Sequence, residues 1–191
     1  AKLKAADITV VAGGPLFTSE PQSFDAVDHL VLNEAEITLP IFLREYECGR
    51  PKRVYKSSAF CDVRQTPAPK WKLLDINKYA SMSIQFSRGC PYNCDFCNVT
   101  TLFGRRARFK NADQMVAELD HLNFLGWRGP IFIVDDNFIG NKSYLKTHLL
   151  PALIKWRTSK TTISFNTEVS INLADDKELM ELMVEAGFDS V

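Results

Sequence analysis

The chain has 191 residues, with 23 Lys and Arg balanced by 23 Asp and Glu and 46% hydrophobic residues. That length builds one good core or two small ones, and a formal charge of zero removes any whole-chain argument for nucleic acid or an anionic membrane surface. No apolar run approaches the length of a membrane span, and residues 1–4 lead into a strand-like run rather than a signal peptide, so a cytoplasmic, reducing setting is expected.

Residues 8–12 form a β-branched apolar run that ends at Gly13-Gly14-Pro15, and residues 29–32 form a second one. Ile37, Ile41, Phe42 and Tyr46 recur at helical spacing over residues 36–47, with Gly49 as the stop. From Gly49 to about Tyr79 the pattern lapses. Pro51, Pro67 and Pro69 interrupt scattered charge, which reads as a linker with one short strand at 53–57.

Regularity returns at Met82, Ile84 and Phe86, which alternate with Ser83, Gln85 and Ser87 as a strand with one apolar face. Asn111 and Gln114 have capping-box spacing at the head of a helix that carries Met115, Leu119 and Leu122 and stops at Gly126. Residues 131–134 read as a buried strand that ends in Asp135-Asp136-Asn137. A helix over 142–158 is expected to kink at Pro151. A third strand is expected at 162–166. Asp175 and Glu178 are expected to cap a helix with Leu179, Leu182, Met183 and Ala186 on one face and Gly187 as its stop, and a fourth strand opens at 188–191. Short apolar strands alternating with helices make a parallel α/β array, too short for a full barrel, and the ending within a strand reads as a piece of something longer. Its strand edge near Phe188 offers a route to a homo-oligomer.

Three cysteines, Cys90, Cys94 and Cys97, fall within eight residues straight after the first strand of this array. Three thiolates on one loop suit one soft metal centre, and three rather than four leave one iron of a 4Fe–4S cluster open to a ligand. Cys48 and Cys61 stand apart, so a disulfide framework is not expected. The competing reading is zinc, which needs a fourth protein ligand, from Cys61 or a distant histidine.

The spacing Cys-x3-Cys-x2-Cys, with Phe96 before the third cysteine, resembles the radical S-adenosylmethionine (radical SAM) superfamily. Residues 83–191 look like the first half of its partial (β/α)6 barrel. Upstream, Val10 to Pro15 and Asp28 to Glu36 are similar to the end of the Rossmann-like cobalamin-binding domain of cobalamin-type members, with Asn33 where that pattern usually has glycine. The stretches 132–141 and 167–170 look like the anaerobic Mg-protoporphyrin IX monomethyl ester cyclase group and its relatives. On this reading residues 1–49 end a cobalamin-binding domain, 50–80 link, and 81–191 begin the barrel. The cobalamin itself belongs to the intact parent protein.

The resemblance implies that Cys90, Cys94 and Cys97 ligate three irons and that the fourth chelates SAM, which is cleaved to a 5′-deoxyadenosyl radical. Phe96 would lie near the adenine, with packing under the loop as its structural alternative. Asp135 or Asp136 would meet the methionine ammonium, against helix capping by Asn137 or Asn141, or a magnesium site. Glu168 and Ser170 would face the ribose, and Gly13 and Gly14 the cobalamin tail. The expected reaction is methyl transfer or oxidative cyclisation of a small organic substrate, with flavodoxin or ferredoxin as electron donor and this piece alone inactive. Two other readings stand beside it: a zinc-binding or interaction module, and a methylthiotransferase-like enzyme, which would bring a second cysteine-rich region. The basic run Arg105, Arg106, Arg108 and Lys110 reads as a solvated face or a carboxylate contact, and His29, His121 and His148 match no ligand spacing.

Overall fold

The computed structural model describes residues 2–158 and 162–191. They fall into two compact units, residues up to 62 with 101–103, and 63–100 with 104–191.

In the first unit a short helix α1 (Lys2–Ala5) precedes strand β1 (Val11–Gly13), helix α2 (Pro15–Ser19), strand β2 (His29–Val31), helix α3 (Ala35–Glu47) and strand β3 (Val54–Tyr55). The three strands are parallel in the order β1-β2-β3, with Gly13 opposite Val31 and Val31 opposite Tyr55. Val31, Phe42 and Tyr55 form its small core, Phe42 meeting Tyr55 edge-on at 5.4 Å. The apolar run at 8–12 pairs later than its composition suggests, because β1 takes its register from His29 and Val31.

The second unit carries a four-stranded parallel sheet in the order β4-β7-β8-β9, formed by β4 (Met82–Ile84), β7 (Ile131–Ile133), β8 (Phe165–Thr167) and β9 (Phe188–Ser190). Met82, Ile84, Ile131, Ile133, Phe165 and Phe188 turn to one face. There they meet α5 (Ala112–Phe124) through Met115, Leu119 and Leu122, α7 (Leu150–Arg157) through Leu150, Leu153 and Trp156, and α8 (Lys177–Ala186) through Leu179, Met183 and Ala186. Most of these side chains are fully buried, and burying each contributes about 1.5–3 kcal/mol. The order leaves β9 at an edge of the sheet.

Local signals set the helix ends. Asn111 and Gln114 form a full capping box, the Gln114 N–H reaching Asn111 Oδ1 at 2.8 Å and the Asn111 N–H reaching Gln114 Oε1 at 3.0 Å. Gly187, at φ 98°, closes α8 in the left-handed region. Two expectations shift. The cap of α8 is Asp176, which accepts from the Leu179 N–H at 3.2 Å, not Asp175, while Glu178 instead pairs with Lys146 at 2.7 Å. The third strand lies at 165–167, since Phe165 and Thr167 alternate inward beside Ile131 and Ile133; residues 159–161 are outside the described residues. The 142–158 helix distorts before Pro151: α6 (Lys142–Tyr144) runs through a π turn at Leu145–Leu149 into α7, which accepts the proline in its first turn. No helix among the described residues is long and apolar enough to cross a membrane.

Candidate functional site

The site is built where β4, β7 and β8 end, at the carboxyl edge of the parallel sheet, which is where α/β folds place ligands. After β4 the chain leaves the sheet. Ser87 and Arg88 (β5) pair antiparallel with Arg108 and Phe109 (β6), Ser87 opposite Phe109. The cysteine segment is thus a loop closed at its base, with the short helix α4 (Val99–Phe103) between its arms. The Lys110 N–H donates to the Phe86 carbonyl at 2.9 Å and the Cys90 N–H to the Gly104 carbonyl at 3.3 Å. Arg105 reaches Asn93 within the loop. Gly140, after β7, lies against it: a Cβ there would sit 3.1 Å from Ala107 Cβ and 3.8 Å from Pro91 Cδ.

Asp135 anchors that base. It is 3% exposed, and both oxygens are occupied. Oδ1 accepts from the Phe86 N–H at 2.8 Å, and Oδ2 accepts from the Ser87 N–H at 2.8 Å and the Ser87 hydroxyl at 2.6 Å. Burial pushes its carboxyl up to about 6 against the pull of those donors. The side chain joins β7 to the root of the cysteine loop, and a methionine ammonium there would share Oδ1 with the Phe86 N–H. Asp136 is different. It accepts the Gly89 N–H at 3.3 Å, and burial raises its carboxyl, opposed by the Gly89 N–H and the Arg88 charge. Capping falls to Asn141, whose Oδ1 accepts from the Tyr144 N–H at 3.0 Å.

Asn137, also 3% exposed, staples the ends of β7 and β8. Its Oδ1 accepts the Ser170 N–H at 3.2 Å and its Nδ2 donates to Ser170 Oγ at 3.1 Å. Ser170 Oγ donates on to Asn172 Oδ1 at 2.6 Å, and Asn172 Nδ2 donates to the Tyr92 hydroxyl oxygen at 2.6 Å. The Ser170 hydroxyl thus accepts on one side and donates on the other, and a ribose hydroxyl could meet it only as a second donor. Glu168 is exposed at the same edge. Phe96 is 94% exposed, so it does not pack beneath the loop. Sequence reasoning missed Ser87, Asn172 and Tyr92 as members of this site. A polar residue at the end of an apolar strand was the available signal for Ser87, and none marked the other two.

In the first unit Gly13 is required by the sheet, since a Cβ there would run into the Val31 carbonyl oxygen, whereas a Cβ on Gly14 (φ 96°) would meet nothing within 4 Å. Asn33 holds a left-handed backbone at φ 62°, the conformation that favours glycine and, among other residues, asparagine. Its N–H donates to Thr18 Oγ1 at 2.9 Å and its Oδ1 accepts from the Ser57 N–H at 3.3 Å. The basic run is not one solvated face, because Lys110 is buried and paired with Glu118.

None of the five cysteines is in a disulfide. Cys94 is exposed, and Cys90 and Cys97 are half-buried. Among the described residues no three His, Cys, Asp or Glu side chains are gathered closely enough to hold a metal ion, so the three loop thiols are not drawn to a common centre. The donor set fits an iron–sulfur cluster by its chemistry: three soft sulfurs on one loop, engaged by no other side chain among the described residues, on a base that is firmly tied.

The sequence from residue 84 to residue 191 matches the radical SAM superfamily. The chain belongs to that superfamily. Its cofactors are a 4Fe–4S cluster and SAM, and its members are enzymes. The radical SAM chain is 47% identical over 191 residues to an uncharacterized methyltransferase of Synechocystis sp., covering 98% of this chain and 35% of that protein. It is 35% identical over 190 residues to the hopanoid C-2 methylase of Rhodopseudomonas palustris, covering 97% and 36%. The anaerobic magnesium-protoporphyrin IX monomethyl ester cyclase of Synechocystis matches at 26% over 194 residues, 91% of this chain and 37% of that one. The radical SAM methyltransferase TsrM of Kitasatospora setae, solved with cobalamin and a [4Fe-4S] cluster, shares the fold: the TM-score is 0.72 at 18% identity, over 95% of this chain and 41% of that chain. The chain thus spans about a third of the length of the curated relatives it matches.

Proposed function

We propose that this chain is part of a cobalamin-linked radical SAM methyltransferase in which Cys90, Cys94 and Cys97 hold the iron–sulfur cluster. The observation that carries the reading is the loop itself: three thiols with no side-chain partner, delivered to the carboxyl edge of a parallel sheet within the region matched by the superfamily. When bound, the cluster supplies the electron that cleaves a sulfur–carbon bond of SAM. The chain's own residues bind and orient. Asp136, which accepts the Gly89 N–H and lies in the field of Arg88, offers a carboxylate to the methionine ammonium. Glu168 is free to meet the ribose hydroxyls, and the exposed ring of Phe96 to lie on the adenine. Asp135 and Ser170 support this from behind by fixing the strand ends.

Methyl transfer is favoured over cyclisation because methylases match nearly the whole chain at higher identity than the cyclase does. Cobalamin would carry the methyl group. In this reading residues 1–49 close its domain, 50–80 link, and 81–191 open the barrel, with the open flank of Gly14 rather than the crowded Gly13 toward the cobalamin tail. A small one-electron carrier of the flavodoxin or ferredoxin class would reduce the cluster, in a cytoplasm reducing enough to keep the thiols free. Anaerobic reconstitution with iron and sulfide assays tests this. The expected result is about four irons and four sulfides per chain, lost in Cys94→Ala. Stoichiometric zinc with no iron uptake would refute it. Visible-absorbance titration with cobalamin tests the first unit separately.

A further inference from the structure

The polar chain at the strand ends has a direction, which one unambiguous donor opens and the Asn172 side chain carries on. The Ser170 backbone N–H can only donate, and it meets Asn137 Oδ1 at 3.2 Å. Asn137 must therefore present its NH2 group to Ser170 Oγ, 3.1 Å away. The Ser170 hydroxyl, accepting there, sends its proton to Asn172 Oδ1 at 2.6 Å. That leaves the Asn172 NH2 to donate to the Tyr92 oxygen at 2.6 Å. Lys142 holds the Asn172 carbonyl as well, Nζ to oxygen 2.9 Å. Tyr92 is an acceptor in this chain, so its own proton is left over. Nothing among the described residues takes it. The side chain is 40% exposed and lies between Cys90 and Cys94, while the chain is rooted at Asn137, 3% exposed.

Hydrogen bonds that all run one way polarise one another, so the last hydroxyl is a better donor than a solvated tyrosine. We infer that Tyr92 is a fixed hydrogen-bond donor on the cysteine loop for an anionic acceptor held there. The inference rests on the cluster-binding role proposed above. Two acceptors share the required chemistry. One is a sulfur of the cluster, whose potential responds to hydrogen bonds. The other is the carboxylate of SAM.

Two variants of the full chain, reconstituted anaerobically, test it. Tyr92→Phe removes the proton and keeps the ring. Asn172→Ala cuts the tether and keeps the proton. The readouts are the midpoint potential of the cluster without SAM and the dissociation constant for SAM. A donor role predicts the larger effect in Tyr92→Phe, which loses proton and tether together, and a smaller one in Asn172→Ala, which loses the tether alone. If the acceptor is sulfur, the potential of Tyr92→Phe moves to a more negative value before SAM is added. If it is the carboxylate, the potential stays and SAM binds roughly tenfold more weakly, about 1.4 kcal/mol. Equal effects in the two variants would make Tyr92 a tether only and overturn the inference, as would no effect in either. Those outcomes, with normal cluster uptake, leave the functional reading intact. A wild type that takes up no iron removes the acceptor and overturns both.

Discussion

Lys110 and Glu118 form a buried ion pair at the root of the cysteine loop, with side-chain exposures of 7% and 3%. Lys110 follows β6, and its N–H closes the loop base on the Phe86 carbonyl. Glu118 sits on the inner face of α5, and its second oxygen, Oε2, is buried without a partner. Lys110→Met leaves the Glu118 carboxylate without its counter-charge, and stripping one partner from a buried pair costs about 3–5 kcal/mol. The pair borders a cavity of about 200 Å³ that Thr66 and Phe86 also line, so water can reach the orphaned carboxylate and the cost should fall near the lower figure, about 3 kcal/mol. The double variant Lys110→Met/Glu118→Leu removes both charges and the unsatisfied oxygen together, and should come back to within about 1 kcal/mol of wild type. Urea denaturation of wild type, both single variants and the double gives the four corners of the cycle. Iron uptake should fall with the single variants and return in the double. A single-variant cost below about 1 kcal/mol, or a double variant no better than the sum of the singles, would refute the claim that this pair is coupled and that its integrity holds the loop base.

Asp135 has a folded value of about 6 against 3.8 for the free side chain, so its neutral form is the one the fold favours. Its contribution is full below about pH 4 and is lost, by about 3 kcal/mol, as pH rises through 6. Urea midpoints taken from pH 4.5 to 7.5 should therefore improve toward acid for wild type relative to the non-titrating Asp135→Asn; a constant difference between the two refutes the assignment. Gly13→Ala places a methyl against the Val31 carbonyl, and should loosen β1 from β2 at a cost of about 2 kcal/mol or more, seen as faster amide exchange at Ala12. Unchanged protection there would contradict it. Asn33→Gly should be close to neutral, and Asn33→Val destabilising by about 1–2 kcal/mol, because the left-handed backbone at φ 62° suits only the first; equal stabilities would show that the turn relaxes.

The sequence made local decisions legible and distant ones not. The Asn111–Gln114 capping box, the glycine stops and the apolar faces of α5 and α8 each depend on residues a few positions apart, and a period read along the chain finds them. So does the cysteine spacing, which is why the loop stood out. The choice between Asp175 and Asp176 as a cap turns on one residue of phase, which only the packed helix fixes. The antiparallel β5–β6 closure joins segments about twenty residues apart, and nothing in Ser87-Arg88 or Arg108-Phe109 announces a partner. Asp135 reads as a ligand contact because a carboxylate at a strand end invites one, and nothing along the chain marks its 48-residue reach to Ser87. Asn172 and Tyr92, 80 residues apart, carried no mark of their pairing at all.

On this reading the cysteine loop holds a cluster with one iron open to SAM. Electron paramagnetic resonance of the reduced, anaerobically reconstituted full chain, recorded with and without SAM, tests it most directly. The expected result is a 4Fe–4S signal that changes on addition of SAM and disappears in Cys94→Ala. A colourless protein that binds stoichiometric zinc and is unaffected by SAM would contradict it.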